Sequence, residues 1–62
     1  MINYYSFIDS KGKTIKDFIS SELIIPNKDQ WITVNTIGYR INNIIEEMNF
    51  DTWDRYITVY LK

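Results

Sequence analysis

Hydrophobic and polar positions alternate most cleanly near the end of the chain. In Arg55-Tyr56-Ile57-Thr58-Val59-Tyr60-Leu61, one face of an extended backbone carries Ile57, Val59 and Leu61. Tyr56, Thr58 and Tyr60 take the other face. A second β signal runs from Trp31 to Ile41, where two runs rich in β-branched and aromatic residues flank Asn35-Thr36. Asn accepts the left-handed backbone that a tight hairpin turn requires, so a hairpin is expected here. Ile2 to Ile8 reads as a first strand, closed by the turn Asp9-Ser10-Lys11-Gly12. Pro26-Asn27-Lys28-Asp29 and Asn49 to Asp54 read as further loops.

Two stretches fit both periods. Ile15, Phe18, Ile19 and Leu23 sit at helical spacing after a capping-type Thr14, yet Thr14 to Ile19 also reads as a strand following a hairpin turn. Ile41, Ile44, Ile45 and Met48 fit a helix face; as a strand the same stretch slips phase at Asn42-Asn43, as a β-bulge would make it do. The strand reading gives five strands, at about 2–8, 13–19, 30–34, 37–48 and 55–61. The alternative is an α+β fold with a helix at 14–24, at 40–49, or at both. Strand phase assigns Ile8, Ile32 or Val34, Ile41, Ile57, Val59 and Leu61 to the core.

Composition tilts the balance towards strands. Alanine is absent, while Ile, Val and Thr number 19 of 62 residues. That length allows one domain, which buries only about 60% of its unfolded surface. Twelve Ile and ten aromatic residues must make its core dense, or lead it to associate. No apolar run approaches the roughly 18 residues of a membrane-spanning helix. Met1-Ile2-Asn3-Tyr4 lacks the basic and apolar blocks of a signal peptide, so the expected location is the cytoplasm.

The residue inventory narrows the chemistry. With no His and no Cys, there is no His-based triad, thiol nucleophile or nitrogen–sulfur zinc site. The two glycines stand alone, so no phosphate-cradling loop forms. The paired carboxylates Glu46/Glu47 and Asp51/Asp54 read as a solvated strand end and a self-capping turn rather than an acid–base or cation site. The expectation is a non-enzyme with no catalytic residue, metal or cofactor.

The order of signals resembles short SH3-like β-barrel proteins encoded by prophages and mobile elements of low-GC bacteria. The resemblance rests on Asp-x-x-Gly-Lys at 9–13, Ile25-Pro26, Gly-Tyr-x-Ile-x-x-Ile-Ile at 38–45 and Ile-x-Val-x-Leu at 57–61. The long Asn49–Asp54 turn departs from the tighter turn of that pattern. The resemblance implies a small five-stranded antiparallel SH3-like barrel. It also implies a binding role, with inhibition of host machinery or of host defence among such roles.

The aromatic residues left outside the core point the same way. Tyr56 and Tyr60 face away from Ile57, Val59 and Leu61; Trp53 lies in a turn; and either Tyr4 or Tyr5 must face outward. With Arg55, the residues Trp53, Tyr56 and Tyr60 have the make-up of a protein-binding hot spot. The competing reading is that tyrosines at the rim of a small barrel only cover its core. The functional expectation is a protein-binding module that docks on a host protein and inhibits it. The alternatives are a single-stranded nucleic-acid binder using the same rings and a small-ligand-sequestering oligomer. The net charge of −1 disfavours nucleic acid, because Asp9 and Asp17 offset Lys11, Lys13 and Lys16. A homodimer is also expected, through edge pairing of the sparsely charged strand 55–61.

Overall fold

The computed structural model describes residues 1–62, all of them in strands, turns and loops with no helix. The five strands are β1 (Asn3–Ile8), β2 (Thr14–Ser20), β3 (Trp31–Val34), β4 (Ile37–Met48) and β5 (Arg55–Leu61). Both ambiguous stretches are therefore strands. In each, β-branched residues and tertiary pairing outweigh the helical spacing of the apolar positions.

The strands form one curled sheet in the order β2-β1-β5-β4-β3, an open half-barrel. The expectation of an all-antiparallel sheet is corrected: β1 and β5 pair in parallel, with Tyr5 beside Ile57 and Phe7 beside Val59. Connectivity is the reason. Each of the four connections reverses the chain, so the first and last strands run the same way. Their pairing also puts β5 in the middle of the sheet. The expected dimerisation through a free edge of strand 55–61 is thereby excluded, because both sides of β5 are already paired.

The turns follow local chemistry. Asn35 and Thr36 both adopt left-handed backbone, with φ of 52° and 69°. This is the pairing of angles that lets a two-residue loop match the twist of β3 and β4. Thr36 is β-branched and strained there; its hydroxyl bonds to the Asn35 carbonyl. At the β1–β2 turn, Asp9 Oδ1 accepts the Lys11 and Lys13 N–H groups, each at 2.9 Å. The Lys13 bond is the main reason the Asp9 carboxyl titrates below its ordinary value of 3.8. Asp29 is likewise held low, by its 3.1 Å hydrogen bond from Lys62 Nζ.

The core is Tyr5, Ile41, Ile57, Val59 and Leu61, with Phe7, Ile15, Ile32, Tyr39 and Ile44 packed around it. Val34 is also buried. The expected bulge in β4 is present, as a register shift between Ile41 and Asn43. It lets Ile41 and Ile44 both reach the core although they stand three apart in the chain.

One strand has the opposite phase to that expected. In β1 the inward positions are Asn3, Tyr5 and Phe7, and Ile8 is only half-buried beside Tyr60. The parallel register decides this, because residues paired with inward Ile57 and Val59 must also face inward. Tyr5 brings a polar tip inside and satisfies it fully. Its hydroxyl donates to the Glu22 carbonyl (2.9 Å) and accepts the Ile24 N–H (2.7 Å). Those two bonds hold the Ser21–Pro26 segment to the sheet.

Three outcomes should follow. Ile57→Ala should cost about 2–5 kcal/mol in denaturant unfolding, because the side chain is fully enclosed. Thr36→Gly should raise stability by about 1 kcal/mol, since Gly adopts positive φ without penalty; a loss instead would mean the hydroxyl contact outweighs the strain. For Asp9, the folded pKa is lowered, so its carboxylate stabilises the fold above pH 3.8 and that contribution disappears as pH falls through the folded value. Asp9→Asn should therefore lower the melting temperature at neutral pH, and the gap from the parent protein should close in acid.

Candidate protein-interaction surface

The outer face of the sheet is built by strand alternation. Ile57, Val59 and Leu61 turn inward, so Tyr56, Thr58 and Tyr60 turn out. Tyr56 and Tyr60 stand four residues apart on one strand, roughly 13 Å. They share a face without touching. Tyr56 gains a neighbour from β1: Tyr4 stacks on it with ring centroids 4.9 Å apart and planes 10° apart. The row through this stack runs Ile19, Tyr4, Tyr56, Glu47 across four strands. One step along, Ile45 sits opposite Thr58 and is also exposed.

Below Tyr56 the Asn49–Asp54 turn presents two more rings. Asn49 organises the turn: its N–H donates to the Asp54 carbonyl, its carbonyl accepts the Trp53 N–H, and its side chain accepts the Asp51 N–H. Asp54 ties the turn to the chain start by accepting the Ile2 N–H at 3.0 Å. Trp53 is 56% exposed and Phe50 75% exposed, and they meet edge to face at 5.8 Å. Trp53 sits on left-handed backbone, with φ of 64°. A bulky side chain there costs about 1–2 kcal/mol relative to an unstrained residue. Asn or Gly would serve the turn better.

Arg55 does not join the rings. It shares the strand phase of Ile57, so it points to the face opposite Tyr56. Its guanidinium approaches Glu46 at 3.6 Å, and its side chain is only a quarter exposed. Its Nε is buried without a partner, as is Oδ1 of Asn3, the residue paired with it in β1. Arg55 thus braces the lower end of the half-barrel.

Electrostatics at this end is one-sided. Glu46 and Glu47 near the end of β4 and Asp51 and Asp54 in the loop before β5 all lie here, with Arg55 the one cation among them. The basic residues Lys11, Lys13 and Lys16 lie at the other end, around the β1–β2 turn. Arg40 is also remote, lying over the Trp31 ring at 4.8 Å.

The chain's own alternation identifies Tyr56 and Tyr60 as outward, and its place in a turn singles out Trp53. It does not reveal Tyr4 as the partner of Tyr56, because that contact depends on the parallel pairing of the two most distant strands. Nor does it single out Phe50, Ile19 and Ile45, whose exposure follows from which faces stay uncovered. No helix is present that is long and apolar enough to cross a membrane. Set against protein-family models, curated proteins and solved structures, the chain matches none of them.

Proposed function

We propose that this chain is a non-enzymatic protein-binding module, encoded by a phage or other mobile element, that docks on a host protein and inhibits it. The observation that carries the binding role is Trp53: a large exposed ring on strained backbone, whose aromatic contact within the turn is the edge of Phe50, itself exposed. Strain of this kind persists where a side chain has a use outside the fold. Phe50 and the Tyr4–Tyr56 stack extend the apolar surface, and Tyr60 lies further along the same face as Tyr56. Aromatic anchors of this type dominate binding energy in protein interfaces.

The carboxylates around the rings favour a partner surface that is basic. Glu47 stands beside Tyr56, and Asp51 and Asp54 flank Trp53. Such a rim attracts Lys and Arg and repels phosphate, which weighs against a nucleic-acid strand on this surface. The assignment to a mobile element and to host inhibition rests on the resemblance of the strand and turn order to prophage-encoded barrels.

The test is affinity capture from a bacterial lysate, with and without nuclease, using the parent chain and Trp53→Asn. The variant should melt at the same or a higher temperature, because Asn tolerates positive φ, and should lose the captured partner. The captured protein should survive nuclease and weaken as salt is raised. Capture that disappears with nuclease would transfer the reading to single-stranded nucleic acid. Undiminished capture by Trp53→Asn would remove Trp53 from the contact.

A further inference from the structure

We infer that two copies of this chain associate through the free edge of β2, running antiparallel and centred on Phe18. β2 closes one side of the sheet and pairs only with β1. Its outer edge is met at one point, where Asn35 Nδ2 from the β3–β4 turn donates to the Ile15 carbonyl at 3.0 Å. Beyond that contact the edge from Lys16 to Ser20 is open. An open edge offers a row of backbone donors and acceptors to another strand.

The edge carries an exposed apolar side chain on each face, Phe18 on one and Ile19 on the other. Phe18 is 40% exposed and Ile19 63% exposed. Phe18 ends an aromatic row, stacked on Tyr5 at 4.8 Å and on Phe7 at 6.0 Å, and it borders a cleft of about 290 Å³ whose far wall includes Ile24, Pro26, Ile32 and Val34. An open depression of about 570 Å³ borders the edge, lined by Tyr4, Asp17, Phe18, Ile19 and Tyr56 among others. Leu23 and Ile24, just past the end of β2, are exposed as well.

Self-complementarity selects a second copy as the occupant. A two-fold axis normal to a sheet pairs antiparallel strands about a residue, so that like-facing side chains meet. Centred on Asp17, the pairing sets carboxylate against carboxylate; centred on Lys16, it sets ammonium against ammonium and runs into the occupied Ile15 carbonyl. Centred on Phe18, it uses the whole open stretch from Lys16 to Ser20. Phe18 then meets Phe18, Asp17 meets Ile19, and Lys16 meets Ser20. Glu22 of the second copy follows that Ser20 in the bend just past the end of β2, its exposed side chain near the Lys16 end of the pairing. Neither Lys16 nor Glu22 is in a salt bridge within its own chain. The axis generates the Lys16–Glu22 pair twice. A standard interface takes about 800 Å² from each partner, under a fifth of the 4497 Å² surface. The two outer faces would lie side by side, each keeping its Trp53 turn free.

Sedimentation equilibrium from about 10 μM to 1 mM tests this, a range that spans weak association. The mass should rise with concentration from 7.5 kDa towards twice that value. Lys16→Glu and Glu22→Lys should each raise the dissociation constant about tenfold, since symmetry counts each change twice. The double variant should restore association. Neither residue is in the core, and circular dichroism with thermal melting will confirm that the variants fold. A parent chain that stays at 7.5 kDa over the whole range overturns the inference and leaves the edge to an extended segment of another protein. Association that both single variants leave unchanged, or that the double variant fails to restore, overturns the β2 register.

Discussion

The pairing of β1 with β5 joins two pieces that share no other ladder. One piece is the β1–β2 hairpin, and the other is the β3–β4–β5 meander. Neither encloses a core alone, because a hairpin or a three-stranded meander has a face to cover and nothing to cover it with. When β1 lies along β5, Tyr5 and Phe7 are set beside Ile57 and Val59, and the sheet can curl around them. The same register sets Tyr4 on Tyr56 on the other side. Core and outer aromatic surface are thus two faces of a single parallel ladder. This pairing also spans most of the chain, so loop-closure entropy must be offset by burial formed only when it closes. Folding should depend on it more than on either hairpin.

The strands and their local turns were legible because their causes are local. Alternation in Ile57, Val59 and Leu61, the Asp9–Gly12 turn and the Asn35-Thr36 hairpin each depend on residues a few positions apart. The slip at Asn42-Asn43 was legible for the same reason, as a break in phase within one strand. What could not be read was the side-by-side order of strands that are remote in sequence. The parallel sense of β1 and β5, the inward phase of Asn3, Tyr5 and Phe7, and the interior position of β5 all follow from that order. So does the placement of Arg55: next to Tyr56 in the chain, it belongs to the opposite face and to the brace with Glu46. The rings of the outer surface could be named singly, but the contacts between them required the register.

The distribution of apolar side chains bears on what the fold needs. The buried apolar residues are Tyr5, Val34, Ile41, Ile57, Val59 and Leu61, whereas thirteen large hydrophobic residues are exposed. Isolated exposed apolar residues are ordinary. Here several fall together, along the β2 edge and the Leu23–Ile25 segment, and around the Tyr56 and Trp53 rings. Contiguous apolar surface on a small domain is a mark of contact with another macromolecule. An open half-barrel has little spare stability to hold such surface in water.

The two uncovered regions differ in character, and the difference separates their uses. The β2 edge is backbone as well as side chain, with one lysine at one end and one glutamate past the other. That pattern is self-complementary under antiparallel pairing. The Trp53 turn is no strand edge: the N–H groups of Asn49, Asp51, Thr52, Trp53 and Asp54 are all engaged within the turn. It carries carboxylates of a single sign, so two such turns repel each other. A surface of that kind is unsuited to its own copy and suited to a basic partner. The charge pattern is therefore compatible with both proposals at once, self-association at one end of the sheet's apolar surface and a basic partner at the other.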